Sequence, residues 1–213
     1  MTSQPGLVQP SHFAVWLVSL FTPAEETESI LGDLLEEFSH LASKSGIAFA
    51  RSWYSRQTVK TIAHLTGAGL RAAPWLIAAV VAGGFLLNWF LSGLPVQAIG
   101  AVLDRYRVYE HHPDAYIFWL KNGMLIGLVV IATLVGGIAA TAAKGREMTA
   151  AVALGVFRGA FGAAGSLMNF ASTGDDGFLW TLPWVFAFSV ATIGGGVIVR
   201  TLRSTATTRP SAT

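Results

Sequence analysis

The chain of 213 residues contains no cysteine, which excludes disulfide bonds, thiolate metal ligands and cysteine nucleophiles. Charge is scarce as well, because only 12% of the residues are Asp, Glu, Lys or Arg, against roughly 25% in ordinary soluble domains. The formal net charge of +2 is too small, and the basic residues are too scattered, to indicate a nucleic-acid partner. No Gly-x-x-x-x-Gly-Lys-Ser/Thr motif is present, so the many glycines form no phosphate-binding loop.

Apolar residues dominate instead, since 53% of the chain is hydrophobic and the mean hydropathy is +0.54. Residues 72–103 contain no charged side chain at all. A helix of about 20 apolar residues crosses the roughly 30 Å hydrocarbon layer of a bilayer, and residues 74–93 match that length. Trp75 lies near one end of this segment and Trp89 near the other, at depths typical of interfacial aromatic rings. The segment therefore predicts a first membrane span.

Three further apolar segments predict spans over residues 116–143, 148–169 and 179–199. Between the first two spans, the polar residues 96–115 have apolar positions at helical spacing, which predicts a short helix on the membrane surface. The predicted fold class is an all-α integral membrane protein. Its parts are a small cytoplasmic or interfacial helical head over residues 1–70, a four-helix bundle over residues 71–200 and a disordered polar tail over residues 201–213.

Basic residues are concentrated on one side of this predicted bundle. They precede span one, separate spans two and three, or follow span four: Lys44, Arg51, Arg56, Lys60, Arg71, Lys144, Arg146, Arg200, Arg203 and Arg209. The connections on the other side carry Arg105, Arg107 and Lys121 together with acidic residues such as Asp175 and Asp176. Because Lys and Arg accumulate in cytoplasmic loops, both termini are predicted to be cytoplasmic.

The head begins with an apolar segment, residues 12–21, which is too short to cross a bilayer. It predicts a packed or interfacial helix. Thr22, Pro23 and Glu25 then match a helix start, with a capping threonine, a proline at the first helical position and a glutamate that completes the capping box.

The rest of the head predicts two helices joined by a turn. The first is acidic with an apolar stripe and ends at Gly46, and the second, over residues 47–65, is basic. So short a turn makes the helices antiparallel, which brings the acidic middle of one near the basic middle of the other. Asp33 and Arg56 are the predicted salt bridge of this helical hairpin.

Two motifs in the head resemble a known family. Residues 32–38 read Gly-Asp-Leu-Leu-Glu-Glu-Phe, and residues 53–57 read Trp-Tyr-Ser-Arg-Gln. Together they resemble the permease prefix domain, the N-terminal helical module of bacterial duplicated ABC permeases of the macrolide-exporter type. The resemblance covers about residues 10–70 and implies a module that docks a partner at the cytoplasmic face of a bacterial inner membrane. The remaining residues contain no permease core, so the resemblance does not imply transport activity.

Small residues form a broad face on the third predicted span, where Gly155, Gly159 and Gly162 recur at helical spacing. Such a face lets another helix approach closely. It fits packing within the bundle, and a homodimer seam is the alternative. The second span has a comparable pair, Gly123 and Gly127, which predicts that the second and third spans are neighbours.

Arg158 is the sharpest single feature of the sequence, because it falls near the middle of the third span. At 1.5 Å per residue this is near the bilayer centre, beyond easy reach of the headgroups. Since no predicted span contains a carboxylate, the candidate partners are Asn88, Asn169, backbone carbonyls or a water-filled cavity. The functional interpretation is an anion or lipid-headgroup site, or a gating charge. The alternative is a structural arginine hydrogen-bonded within the bundle.

Glu110, His111, His112 and Asp114 offer metal-capable side chains in one loop. Adjacent histidines point apart and no helical His-x-x-x-His spacing occurs, so a solvated loop is the better interpretation. We expect no metal, cofactor or catalytic site. An intramembrane enzyme would need a paired nucleophile and base, or metal ligands, at membrane depth, and the predicted spans contain neither.

The sequence therefore predicts a non-enzymatic accessory or regulatory membrane protein in contact with the lipid bilayer. Its head would contact a protein partner, and its small-residue faces would pack or form a homo-oligomer. The alternative is a small transporter or channel that uses Arg158.

Overall fold

The computed structural model describes residues 9–22, 26–174 and 177–207 of the chain. The chain divides into two compact units, Met1–Ala73 and Pro74–Thr213. Throughout the described ranges the regular structure is α-helical, and four helical segments are long and apolar enough to cross a membrane. The predicted all-α membrane fold is confirmed.

The first unit consists of α1 (His12–Phe21), α2 (Thr27–Ser45) and α3 (Ile47–Ala72). The bounds of α1 match the prediction. Helix α2 ends where predicted because Gly46 takes a φ of +87°, a conformation that residues with a Cβ rarely adopt. Helix α3 continues well past its predicted end at residue 65. It stops only at Ala73, since the following Pro74 disfavours helical geometry for the residue before it.

The predicted start of α2 is wrong. The helix begins at Thr27, and Thr22 lies instead at the carboxyl end of α1, where its hydroxyl donates to the Val18 carbonyl oxygen at 2.9 Å. A threonine side chain can cap the start of one helix or hydrogen-bond to the last turn of another. Thr22 directly follows α1 and takes the second role. Pro23 and Glu25, which completed the predicted capping box, lie outside the described residues.

The three helices of the first unit enclose an apolar core. Its buried members are Ala14, Val18, Leu34, Phe38, Ala50 and Tyr54. Phe38 of α2 meets Tyr54 of α3 edge to face, with 5.8 Å between ring centroids. The Tyr54 hydroxyl is buried and has no hydrogen-bond partner in the described part of the chain. Burial raises the pKa of Tyr54, because a buried phenolate loses its hydration.

The predicted salt bridge between Asp33 and Arg56 is not formed. Both side chains are exposed, and the ion pairs found among the described residues involve other groups. The stripe of α2 that faces α3 is occupied by Leu34 and Phe38. Apolar side chains therefore fill the contact, and the charges point outward.

The second unit contains α4 (Pro74–Leu91), α5 (Leu94–Arg105), α6 (Val108–His111), α7 (Pro113–Ala142), α8 (Glu147–Thr173) and α9 (Gly177–Thr207). The four candidate spans are Pro74–Arg105, Pro113–Ala142, Glu147–Ser172 and Thr181–Thr205. Large apolar side chains such as Leu134, Ile138 and Val156 are more than half exposed on these helices, as expected for surfaces that face lipid.

The first span differs from its prediction because it is a broken helix made of α4 and α5. A Cβ on Gly127 would lie 2.5 Å from the side chain of Pro95, and a Cβ on Gly123 would lie 2.6 Å from that of Ile99. Helix α5 therefore packs along the first half of α7 and does not form a separate surface helix. Gly123 and Gly127 consequently contact α5. The prediction that the second and third spans are neighbours is nevertheless confirmed, because α7 and α8 pack against each other through Val135, Ala139 and Leu154.

The glycine face of α8 lies against α9. A Cβ on Gly155 would meet Ile193 at 2.8 Å, one on Gly159 would meet the Ser189 hydroxyl at 2.7 Å, and one on Gly162 would meet Val185 at 3.1 Å. Small residues allow this approach. Because α9 of the same chain occupies this face, the face is not open to a second copy.

Helix α9 extends to Thr207, so the predicted disorder from residue 201 is wrong for the described part of that segment. Arg203 pairs with Glu147 at the start of α8, and Arg203 Nη2 also donates to the Thr141 carbonyl oxygen at 3.4 Å. These contacts hold the last turns of α9 against the bundle. Residues 208–213 lie outside the described residues.

Candidate functional site

Arg158 lies close to the midpoint of α8, as the sequence predicted, and α9 holds one side of its guanidinium. Arg158 Nη1 donates to Thr192 Oγ1 at a long distance of 3.5 Å, and the Thr192 hydroxyl in turn donates to the Phe188 carbonyl oxygen at 2.8 Å. The guanidinium carbon also lies 5.1 Å from the centroid of the Phe188 ring. A cation–π contact of this kind stabilises a desolvated arginine by about 2 kcal/mol.

A cavity of about 210 Å³ adjoins Arg158 between α4, α8 and α9. Its lining residues are Phe85, Asn88, Trp89, Ser92, Arg158, Phe161, Gly162, Val185 and Phe188. Four of these are aromatic, and Trp89 and Phe161 are 72% and 59% exposed. The exposed rings form the outer edge of the cavity on the surface that faces lipid.

The break between α4 and α5 creates the cavity. Gly127, which packs against Pro95 just after the break, lies midway along α7, so α4 ends at about half the depth of the bundle. Asn88 and Trp89 belong to this final turn, and Ser92 directly follows it. Trp89 thus lies at the outer edge of this cavity, in the turn where the helix breaks, whereas the sequence placed it near the end of a continuous span.

Asn88 is the polar neighbour that the sequence proposed for Arg158, and the structure brings the two to the same cavity. The Asn88 Oδ1 atom is fully buried and has no hydrogen-bond partner among the described residues. A buried polar atom left unpaired costs about 1–3 kcal/mol. Asn169, the other proposed partner, lies about three helical turns further along α8 and is not part of the cavity wall.

The charge of Arg158 is not neutralised by any carboxylate in the described ranges. A charged side chain at the centre of a membrane helix costs about 2.5–3.5 kcal/mol on insertion scales. The cavity therefore retains a net positive character and can attract an anion.

A second charged cluster, which the sequence did not predict, closes one end of the bundle. The Glu147 side chain is only 5% exposed and pairs with Arg203 and, at 3.8 Å, with Arg200. Its Oε1 also accepts a hydrogen bond from the Gly145 N–H at 3.1 Å. In the sequence, the feature that could have indicated this cluster is one glutamate, Glu147, in the otherwise basic connection before α8. The cluster ties α8 to α9 and is structural in character.

In the described part of the chain, which includes the loop with two histidines, no group of three or more potential metal ligands converges. His111 Nδ1 lies 3.0 Å from the Arg107 carbonyl oxygen. Glu110 pairs with Arg107 at 3.7 Å on the exposed surface.

The fold and this cavity together define a helical membrane protein with a charged group at mid-depth of its bundle. Comparisons with family models, curated proteins and solved structures find no match for the chain. The resemblance of residues 10–70 to a permease prefix domain therefore stays a prediction.

Proposed function

We propose that the protein is a non-enzymatic accessory or regulatory membrane protein whose first unit contacts a protein partner. The observation that supports this proposal is an aromatic pair on α1. Phe13 and Trp16 are 65% and 40% exposed, with 5.7 Å between their ring centroids, although the unit encloses a core of its own. Exposed aromatic side chains beside a closed core are typical of interaction surfaces.

The charge distribution of the first unit supports the same proposal. Glu36 and Glu37 are exposed on α2, and Arg51 and Lys60 are exposed on α3. Acidic and basic surfaces that lie on different helices can orient a charged partner before contact.

The proposed membrane is a bacterial inner membrane, with both termini in the cytoplasm. Support comes from one end of the second unit, where the connection with Lys144 and Arg146 adjoins Arg200 and Arg203. Positive residues of this kind accumulate on the cytoplasmic side.

Site-specific photo-crosslinking in native membranes tests the docking proposal. With benzoylphenylalanine at position 13 of the full chain, we expect a protein adduct of discrete mass, because this side chain would face the partner. The matched control carries the same residue at position 28, on the exposed surface of α2, and should give no such adduct. Adducts with lipid alone at position 13 would contradict the proposal.

A second candidate function is a small transporter or channel that uses Arg158, and the cavity at the broken helix favours it. Discontinuous helices at mid-membrane depth are a recurring feature of transport sites. In proteoliposomes, Arg158→Gln is expected to reduce anion flux at least tenfold, because the attracting charge is lost. The control Arg105→Gln removes an exposed charge outside the cavity and should leave flux unchanged. Wild-type flux no higher than that of protein-free liposomes would exclude this candidate.

A further inference from the structure

We propose that the cavity beside Arg158 binds a carboxylate, carried by an amphiphile whose apolar chain extends into the surrounding lipid. The inference deepens the second candidate function by naming a ligand class. It concerns binding alone and holds whether or not the protein moves the ligand.

The first support is the uncompensated charge. Of the five N–H donors of a guanidinium, those of Arg158 make one long hydrogen bond, to Thr192, and the described residues supply no carboxylate. A monovalent anion would neutralise this charge, and a carboxylate matches the planar donor geometry of an arginine.

The second support is Asn88, which lines the same cavity. Its amide nitrogen Nδ2 carries two N–H donors, which can donate to a carboxylate in the cavity. The amide oxygen Oδ1, which is buried without a partner among the described residues, is an acceptor and cannot pair with a carboxylate. Asn88 therefore supports the inference through Nδ2, which adds a donor from α4 to that of Arg158 on α8.

The third support is the shape and chemistry of the walls. Phe85 and Phe161 meet at 4.9 Å between ring centroids, and the exposed Trp89 and Phe161 form the edge of the cavity. An apolar ligand segment would pack against these rings by van der Waals contact, the force that drives apolar association within lipid. A volume of about 210 Å³ accommodates a carboxylate and a few adjoining methylene groups, and the rest of a longer chain would lie in lipid.

Calorimetric titration of the full chain in a non-ionic detergent tests this inference with three probes. Laurate carries both the carboxylate and the chain, dodecanol carries only the chain, and acetate carries only the carboxylate. We expect saturable binding of laurate and at least tenfold weaker binding of dodecanol. Acetate binding as tight as that of laurate would keep the carboxylate site but would overturn the amphiphile as its ligand, and would identify a water-borne anion instead. Equal binding of laurate and dodecanol would overturn the proposal.

Variants connect the binding to the cavity. Arg158→Gln should weaken laurate binding at least tenfold and Asn88→Ala several-fold, whereas Arg105→Gln should have no effect. If Arg158→Gln does not give a monodisperse helical protein, the location of the binding site is tested by Asn88→Ala alone, because this substitution removes a donor without exposing a charge. Unchanged laurate affinity in Asn88→Ala, or in a folded Arg158→Gln protein, would overturn the site. Binding without flux would instead exclude only the transport function.

Discussion

Replacing Gly195 by alanine is expected to separate α9 from α7 and to destabilise the bundle by about 3 kcal/mol or more. A Cβ at this position would overlap the Thr133 carbonyl oxygen and would lie 2.6 Å from the Gly137 amide nitrogen. Both are backbone atoms in the middle of a helix, so neither can rotate away as a flexible side chain could. The midpoint of SDS-induced unfolding in mixed micelles, followed by circular dichroism, measures the loss.

The adjacent Gly194 provides a matched control, because a Cβ there would meet no atom within 4 Å. Gly194→Ala should be neutral or slightly stabilising, since alanine favours a helix over glycine by about 1 kcal/mol. If both variants unfolded at the same midpoint as the wild type, the close approach of α7 and α9 would be wrong.

Glu147→Gln is expected to destabilise the protein by about 3 kcal/mol, the lower end of the range for breaking a buried ion pair. The substitution keeps the shape of the side chain but leaves Arg200 and Arg203 without their carboxylate. The lower end applies because the two arginine side chains are 23% and 37% exposed and retain some hydration. Protease cleavage after Arg203 should also become faster, since the end of α9 would loosen.

Glu110→Gln is the control for this experiment. Glu110 also pairs with an arginine, at 3.7 Å, but both side chains are more than half exposed, and exposed pairs contribute little to stability. The control should therefore unfold at the wild-type midpoint. Equal effects of the two substitutions would mean that Glu147 is not buried in an ion-pair cluster.

The sequence predicted those features that depend on composition along one helix. Uncharged segments of bilayer length located the spans, and Gly46 located the end of α2, because lipid thickness and the conformational freedom of glycine act locally. The midpoint position of Arg158 in α8 was also readable, since it requires only counting residues along a helix.

Pairings between helices were not predictable in this way. Gly123 and Gly127 could have met any helix, and α5 meets them because α4 ends at half depth and α5 continues along α7. Asp33 and Arg56 were expected to pair by charge, but apolar packing determined which faces meet.

Hydropathy is a property of each segment, so the class of helical membrane proteins could be read from the residues in order. That Arg158, Asn88 and four aromatic rings share one cavity, and that Glu147 holds the end of α9, became visible only in the packed helices. Both sites combine residues distant in sequence. Their proximity follows from how helices pack against one another, which no single segment encodes.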